Sequence, residues 1–411
     1  MRQTNASNKS IRPFRNPVAA ILAVSSALSL VGCDLMHDDL APCATDPSVK
    51  TVVNFVYDYN MEEEDLFDRH VGSVYLYVFD ENDVFVGRYE KNKRDLNPSN
   101  PDFSMEFDGQ TSAIRRGRTY KFVAVANGAE DGYDGDDETP GFKLVNRMVP
   151  GVSTINDYIL KLNRDDKMFE DFGVVDYTKD YSDPDAMIDS VWTTKPDEVQ
   201  VHAIPDPRAE FDSADQLPDH VEEVRIPMMR ITNSIEVALT SPNFTSGTRP
   251  GDYDIVIYFP NGNGTIDFVG ETLTEISQPL YYRALRKRVG VYETKTGTRA
   301  GEDSGEEGES GETQYAIYAT FGVSRLQYAD GSSLQVRDPE THEVLAEIPE
   351  FSSYLNDRGN KDYDDPQEYL DREYNFRLDL GLTGGSDERL WWSQVGIGVH
   401  SWAVRDWYIS L

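Results

Sequence analysis

VYLYVFDENDVFVG, residues 74–87, is the stretch that decides the fold class of this chain. Two runs of β-branched and aromatic residues flank the polar turn Asp80–Asp83, and this arrangement is typical of a β-hairpin. Residues 49–57 alternate between apolar and polar side chains, which predicts a strand with one buried face. The first half of the chain is therefore expected to be rich in β-structure.

Strand patterns continue to the C-terminus. Residues 119–126 are mostly apolar on both faces, which is typical of a central strand. One long strand is predicted between Glu223 and Leu239. Further strands are predicted at residues 103–107, 158–162, 253–259, 265–268, 315–323, 334–336, 344–348, 374–380 and 395–399. No long stretch has convincing helical periodicity, so the sequence predicts an all-β fold of two tandem β-sandwich domains.

The predicted domain boundary lies in a weakly patterned stretch. Between Asn163 and Leu217 aspartates and prolines are frequent, which predicts an irregular connection. We therefore expect an N-terminal β-sandwich over residues 49–217 and a C-terminal β-sandwich over residues 218–411. The segment Gly301–Thr313 is almost entirely glycine and acidic residues, and we expect it to be a mobile loop within the second domain.

Residues 1–32 are predicted to be a lipoprotein signal peptide. A leader with four positive charges precedes an apolar run that is shorter than the ~20 residues a membrane-spanning helix needs. Leu30, Val31 and Gly32 form the recognition pattern before Cys33, whose thiol is the nucleophile that takes up a diacylglycerol. The alternatives are an unmodified Cys33 after an ordinary signal peptide, and a permanent membrane helix.

Lipidation would make Cys33 the first residue of the mature chain. A diacylglycerol and an amide-linked acyl chain supply three chains, and each buried methylene contributes ~0.8 kcal/mol, so the attachment is effectively permanent. Residues 33–48 are short, polar and acidic, as suits a tether. Cys43 is the only other cysteine, and once Cys33 is lipidated it has no partner for a disulfide.

Charge excludes several classes of partner. The 411-residue chain has a formal net charge of −34, and without its positive leader the mature part carries about −38. A chain this acidic repels phosphate backbones and anionic lipid surfaces. We expect no nucleic-acid binding, and membrane attachment only through the lipid on Cys33.

Catalytic and metal-binding motifs are not evident. The six histidines are scattered singly, without paired spacing, and the P-loop, dinucleotide and nucleophile-elbow patterns are missing. We expect no enzyme, no metal and no cofactor, although a glycosidase-like pair of distant carboxylates stays open. The acidic stretch Asp131–Glu138 offers oxygen ligands for calcium, but its spacing does not fit an EF-hand, so a solvated loop is expected.

The C-terminus is the most unusual stretch after Cys33. Four of the five tryptophans lie in the last 21 residues, and the strand pattern runs to the end of the sequence. Two interpretations stay open. The segment is a final core strand with interface aromatics, or it is a strand offered to the sheet of a neighbouring subunit.

Taken in order, these features resemble those of the FimB-type fimbrial anchor subunits, relatives of the fimbrillins of Bacteroidetes-type bacteria. The resemblance is carried by Cys33–Cys43 (CDLMHDDLAPC), the hairpin at 74–86, Tyr120–Asn127 (YKFVAVAN), Met229–Leu239 (MRITNSIEVAL), Gln367–Leu380 (QEYLDREYNFRLDL) and Trp402–Val404. It implies a lipoprotein on the outer face of the outer membrane, built of two transthyretin-like β-sandwich domains. It also implies that the protein anchors a fimbrial shaft and helps to end its polymerisation.

Fimbrillin-type pilins resemble this family but lose a first strand when a trypsin-like protease cuts at an arginine. The mature chain here has no arginine before Arg69, which lies beyond the first predicted strand. Cleavage there would detach the lipid, so an uncleaved anchor at the base of the fimbria is expected.

The expected partner is the first shaft pilin, reached by strand exchange. The first domain keeps its own first strand, whereas the second donates its C-terminal strand. The strand residues predicted to bind the pilin are Trp402, Val404, Trp407, Ile409 and Leu411, with a bulge or bend between Val404 and Trp407. The alternatives are a surface glycan-binding lipoprotein and a tip or stalk pilin of the same superfamily.

Overall fold

The computed structural model describes residues 49–99, 102–108, 114–115, 117–127, 142–162, 165–169, 172–175, 190–195, 200–204, 220–274, 279–284, 286–292, 313–384 and 390–399. These residues form many strands in four sheets and a few short helices. The predicted all-β fold is confirmed.

The first sheet has eight strands. They are β1 (Val49–Val56), β2 (Ser73–Asp80), β3 (Phe85–Asn92), β4 (Met105–Asp108), β5 (Arg118–Ala126), β10 (Trp192–Thr194), β11 (Gln200–Ile204) and β12 (His220–Arg230). Their order is β3-β2-β5-β10-β12-β1-β4, and β11 also pairs with β5.

The predicted hairpin is the pair β2 and β3. The strands pair antiparallel, and Asp80 closes the turn by accepting hydrogen bonds from the backbone N–H groups of Asn82 and Val84. β5 lies next to β2 and is central, as predicted. Its side chains are buried on both faces of the sheet, for example Phe122 on one and Val123 on the other.

A three-stranded small sheet packs on one face of the first sheet. It contains β6 (Phe142–Leu144), β7 (Leu160–Leu162) and β15 (Thr265–Ile266), in the order β15-β7-β6. Apolar side chains of this small sheet and of β2 and β5 belong to one core.

The remaining strands form the second and third sheets. The second sheet has the order β17-β18-β13-β21-β22, and its strands are β13 (Thr232–Thr240), β17 (Arg286–Val291), β18 (Tyr315–Ser324), β21 (Asn375–Gly384) and β22 (Leu390–Val399). The third sheet has the order β20-β19-β14-β16-β9-β8, and its strands are β8 (Asp165–Phe169), β9 (Phe172–Val175), β14 (Asp254–Phe259), β16 (Leu280–Arg283), β19 (Ser333–Arg337) and β20 (Val344–Pro349). Apolar residues of both sheets pack in the same core.

The helices are short and support the sheets. α1 (Phe67–His70) follows β1, whereas α2 (Phe351–Gly359) and α3 (Pro366–Arg372) lie between β20 and β21. α3 begins with Pro366 after Asp365, whose side chain accepts a hydrogen bond from the Gln367 N–H. Helices of seven to nine residues carry little periodic signal, so the sequence did not predict them.

Two predictions about strands are wrong in detail. The long strand expected between Glu223 and Leu239 is two strands, β12 and β13, which belong to different sheets. The large apolar residues at even positions up to Met228 pack in one core, whereas those at odd positions from Met229 to Leu239 pack in the other, and this change of phase marks the break. The stretch expected to be irregular after Asn163 contains the strands β8 to β11. The division into two transthyretin-like domains at residue 217 stays a prediction.

Candidate functional site

The first strand of the described chain lies inside the first sheet. β1 pairs parallel with β12 from Val49 opposite His220 to Val56 opposite Pro227, and antiparallel with β4 on its other side. Its odd-numbered residues, such as Val53, point into the core. β1 is paired along its whole length on the β12 side and over residues 50–53 on the β4 side, so a strand from another chain could take its place only by displacing β1.

The last described strand lies at an edge of the second sheet. β22 pairs antiparallel with β21, and no other strand in the described part of the chain pairs with it. An edge strand presents backbone N–H and C=O groups that can pair with a further strand. Val399 pairs with Phe376, so β22 ends beside the start of β21.

A hydrogen bond attaches β22 to the third sheet as well. The Trp392 indole Nε1 donates to the backbone oxygen of Glu347 in β20, at 2.9 Å. β22 is thus held by a full ladder on one side and by this contact near its start.

Three consecutive charged residues end α3 and connect the first sheet to the second. They are Asp371, Arg372 and Glu373, and each contacts a different neighbour. Together with Arg325 and Arg230 we call them the joint. The joint has an Arg325 side and an Arg230 side.

On the Arg325 side, two buried charges form a two-pronged pair. Arg325 Nε lies 2.7 Å from Asp371 Oδ1, and Arg325 Nη2 lies 2.8 Å from Asp371 Oδ2. Each side chain is 5% exposed. Burial opposes the charge on Arg325, but the charge and hydrogen bonds of Asp371, together with the charge of Glu271, raise the pKa of the guanidinium overall. This geometry is the one in which a buried ion pair is best compensated.

Arg325 also holds the turn that touches the first sheet. Its Nη1 donates to the backbone oxygen of Gly270, at 2.8 Å. Gly270 has φ +79°, and a Cβ there would lie 2.9 Å from Thr193 Cγ2 and 3.4 Å from the backbone oxygen of Thr194. Glycine is therefore required both by the left-handed backbone and by the close approach to β10.

Arg372 connects α3 to the loop after β1. Its guanidinium carbon lies 4.4 Å from the centre of the Tyr59 ring and 5.4 Å from that of Tyr363. Its Nη1 donates to the backbone oxygen of Asn60, at 3.2 Å, and its Nε donates to Glu368. The exit of the first strand is thus tied to the helix that precedes β21.

On the Arg230 side, the charges do not form a pair. Glu373 is 1% exposed, and its Oε1 accepts hydrogen bonds from the backbone N–H groups of Tyr374 and Asn375, at 3.1 and 2.9 Å. In the described part of the chain its Oε2 has no hydrogen-bond partner. Burial raises the pKa of Glu373 to about 7, against the opposing effects of these hydrogen bonds and of Arg230.

Arg230 contacts aromatic rings in place of a carboxylate. Its guanidinium carbon lies 4.2 Å from the centre of the Tyr374 ring and 5.5 Å from that of Trp192. The Tyr57 hydroxyl and Trp192 Nε1 are buried close by, and the two rings meet edge to face with centres 5.6 Å apart. Burial lowers the pKa of Arg230.

Every residue predicted as a functional site lies outside the described part of the chain. These residues are Leu30, Val31, Gly32 and Cys33 for lipidation, and Trp402, Val404, Trp407, Ile409 and Leu411 for pilin binding. Cys43, the acidic stretch 131–138 and residues 301–312 lie outside it too. Their roles stay predictions.

The described ranges contain neither a candidate metal site nor a candidate membrane helix. No group of three or more histidine, cysteine, aspartate or glutamate side chains there could hold a metal ion. None of the helices in those ranges is long and apolar enough to cross a bilayer.

Sequence reasoning missed the joint. Its residues come from β12, from the chain after β18 and from the end of α3, so they are far apart in sequence. One local signal was available, because Asp371-Arg372-Glu373 places three charges directly before a strand of buried residues. Charges in such a position need partners, and they indicate a buried polar cluster.

Several solved structures are similar to the fold of this chain. A candidate polysaccharide-binding protein from Bacteroides thetaiotaomicron matches with a TM-score of 0.58 and 20% identity over 85% of this chain and 95% of that one. A candidate adhesin from the same species matches with a TM-score of 0.59 and 21% identity, over 90% and 99%. The fimbrial anchor protein Mfa2 from Porphyromonas gingivalis matches with a TM-score of 0.53 and 14% identity, over 88% and 99%. These similarities show a shared fold.

A comparison with curated protein sequences found no significant match. The model of the fimbrillin-A associated anchor proteins Mfa1 and Mfa2 matches residues 40–407, which is nearly the whole chain. This match covers the first sheet, the joint and the strand β22. Such proteins are associated with fimbriae at the cell surface, and the family is not one of enzymes. The chain belongs to the family of fimbrillin-A associated anchor proteins Mfa1 and Mfa2.

Proposed function

We propose that this protein is a non-enzymatic lipoprotein of the outer membrane that holds a fimbria at the cell surface and ends its polymerisation. Cys33 carries the lipid, residues 33–48 form the tether, and the segment after β22 supplies a strand to the first shaft pilin. No cofactor is needed, because strand insertion relies on main-chain hydrogen bonds and on alternate side chains that fill pockets.

The occupied position of β1 is the observation that carries the proposal. Because β12 and β4 pair with its two edges, the slot that β1 fills is not open to an incoming strand. A subunit that can donate a strand but cannot accept one stops a chain of strand exchanges in one direction. This is what a terminating anchor has to do.

The edge position of β22 supports the proposal that the segment after it is the donated strand. β22 ends beside Phe376, and the sequence that follows has alternate apolar residues at Trp402 and Val404 and again from Trp407. A strand that continues from an edge can pair with another subunit without unfolding its own sheet.

The first test is deletion of the gene in its host. We expect longer fimbriae, and more of them shed into the medium than retained on washed cells, when both fractions are sized by electron microscopy. Unchanged fimbriae would remove the anchoring function. Replacing Cys33 with serine is expected to release the protein and its fimbriae together, and [³H]palmitate labelling checks the loss of the lipid.

A second test isolates strand donation. Ile409→Asp places a charge where a pilin pocket should take an apolar side chain, so we expect loss of the anchor–pilin complex in pull-down assays with lipid labelling intact. Ser410→Asp is the matched control, because adjacent residues of a strand face opposite sides. Equal capture of pilin by both variants would contradict strand donation.

Surface glycan binding is the second candidate function. One aromatic pair favours it, since Tyr258 and Tyr281 stack with ring centres 4.4 Å apart. However, the Arg337 guanidinium lies 4.6 Å from the centre of the Tyr281 ring, and Tyr281 is 9% exposed. A sugar platform needs open ring faces, so this pair supports glycan binding less well than β1 supports anchoring.

A further inference from the structure

The Arg230 side of the joint places an incompletely paired carboxylate between two parts of the molecule. Glu373 belongs to the link from α3 to β21, and its backbone oxygen accepts a hydrogen bond from Asn233 Nδ2, at 3.2 Å, at the start of β13. Arg230 ends β12, and Tyr57 follows β1 in the first sheet. The carboxyl group of Glu373 thus lies where the first sheet meets the second.

Ionisation of this group is costly in the observed geometry. Oε1 has two backbone donors, but Oε2 has none among the described residues. No ion pair within 4.0 Å joins Glu373 to Arg230, whose guanidinium carbon lies 4.2 Å from the centre of the Tyr374 ring. A buried carboxylate without a close counter-charge loses several kcal/mol of hydration, so movement toward water or toward Arg230 is favoured once the proton leaves.

The neighbouring residues would transmit such a movement. Arg372 contacts the loop after β1 through the Tyr59 ring and the Asn60 backbone oxygen. Asp371 forms an ion pair with Arg325. Displacement of Glu373 therefore pulls on contacts to the first sheet and on the start of β21. β22, from which the C-terminal segment continues, pairs with β21 along its whole length.

We propose that the joint is a proton-sensitive latch, which holds the first and second sheets together while Glu373 is protonated and loosens when its carboxylate ionises. The latch belongs to the folded chain alone, and it stands whether or not the proposed anchoring function holds.

The other titratable groups around Glu373 do not change their protonation state near neutral pH. Burial raises the pKa of the hydroxyls of Tyr57, Tyr369 and Tyr374, so they stay neutral. His70 lies beside Trp192, and burial together with Arg230 lowers its pKa. The imidazole is therefore neutral at neutral pH. Arg230 stays charged, and Glu62 lies close enough to act on His70 and Tyr374.

The size of the effect follows from the titration of Glu373. The pKa is about 7 with the latch closed, compared with 4.5 for a solvated glutamate. If the open latch has the solvated value, the opening equilibrium constant rises about ten-fold from pH 6 to pH 8. The titration of the Glu373 side chain alone accounts for this rise in the opening equilibrium constant.

The test is amide hydrogen exchange of the purified chain at pH 6 and pH 8, corrected for intrinsic exchange. We expect protection of residues 57–61 and 373–377 to fall about ten-fold at pH 8 in the wild type. Glu373→Gln should keep its protection at both values. Glu340→Gln, at an exposed position in the turn before β20, is the matched control and should behave as the wild type. Equal pH dependence in the wild type and in Glu373→Gln would overturn the latch.

A second measurement does not depend on a variant folding. The ¹³C shift of the Glu373 side-chain carboxyl in the wild type should titrate with a midpoint near neutral pH. A midpoint close to that of a solvated glutamate would overturn the proposal, because the latch would then be ionised throughout the physiological range.

Discussion

Asp371 and Glu373 are separated by one residue, yet the two sides of the joint treat them differently. Asp371 faces a guanidinium that offers two parallel hydrogen bonds, at 2.7 and 2.8 Å. Glu373 faces a guanidinium that is stacked on rings and does not reach it. Both carboxyls are almost completely buried. Burial alone therefore does not decide how a carboxylate behaves.

The difference shows that a counter-charge stabilises a buried carboxylate only when it is close and correctly oriented. On the Arg325 side a short, two-pronged contact offsets much of the lost hydration, so the charges are fixed parts of the fold. On the Arg230 side the lost hydration is not offset, so the protonated form of Glu373 is favoured over the ionised form. One side is a structural pair, and the other is able to respond to pH.

The largest effect is expected when the paired side is broken. Asp371→Ala leaves Arg325 buried without a counter-charge, so we expect a loss of about 3–5 kcal/mol in the free energy of unfolding. Urea unfolding followed by tryptophan fluorescence measures it. Asp364→Ala removes an exposed carboxylate just before the same helix and should change stability little.

A double variant sharpens this result. Replacing Arg325 with Met and Asp371 with Leu removes both charges and keeps apolar volume, so most of the lost stability should return. A double variant as unstable as Asp371→Ala would show that the pair matters for more than its charges.

The next effect concerns the close approach that Arg325 maintains. Gly270→Ala combines a left-handed backbone with a Cβ 2.9 Å from Thr193 Cγ2, and we expect a loss of about 2–4 kcal/mol. Two matched controls separate the causes. Gly151→Ala has φ +75° with open space and tests the backbone alone, whereas Gly251→Ala has open space and no positive φ. If Gly270→Ala costs no more than Gly151→Ala, the contact with β10 is not tight.

The third effect is the pH dependence of stability on the Arg230 side. The pKa of Glu373 is raised in the folded chain, so between pH 4.5 and 7 the folded state binds more protons than the unfolded state. Stability is therefore highest at low pH in this window and falls as pH rises, by about 2–3 kcal/mol from pH 5 to pH 8. The difference between wild type and Glu373→Gln in urea unfolding isolates this contribution. A constant difference across the window would mean that Glu373 has an ordinary pKa.

The sequence predicted the strands well because their signal is local. Alternation over 49–57 and the turn at Asp80–Asp83 specify β1 and the β2–β3 hairpin, and residues 119–126 specify a central strand. These features depend on side chains that are neighbours along the chain. The change of sheet at Ile231 was missed, although the apolar residues shift from even positions up to Met228 to odd positions from Ile231 in the sequence itself.

The joint could not be predicted because it depends on distant parts of the chain. Whether Asp371 meets a guanidinium and Glu373 does not is decided by the positions of Arg325, which follows β18 of the second sheet, and of Arg230, which ends β12 of the first. Nothing in the sequence spacing distinguishes the two carboxylates. The segments at Cys33 and after β22 present the opposite case, since their predictions come from local sequence and lie outside the described residues.

The smallest effect is expected at the residue between the two carboxylates. Arg372→Ala removes stacking on Tyr59 and the hydrogen bond to the Asn60 backbone oxygen, at a partly exposed site, so we expect a loss of about 1 kcal/mol. The loop after β1 should open more often, and mass spectrometry of limited digestion with a glutamate-specific protease should show faster cleavage after the exposed Glu63 and Glu64.

Arg372→Lys is the matched control for this prediction, because it keeps the charge but loses the planar group that stacks and bonds in two directions. If geometry matters, Arg372→Lys should be cleaved nearly as fast as Arg372→Ala. If charge alone matters, it should be cleaved at the wild-type rate. The second outcome would make Arg372 resemble the Arg230 side, where a guanidinium acts at a distance. The first would place it with Arg325, where orientation gives the contact its strength.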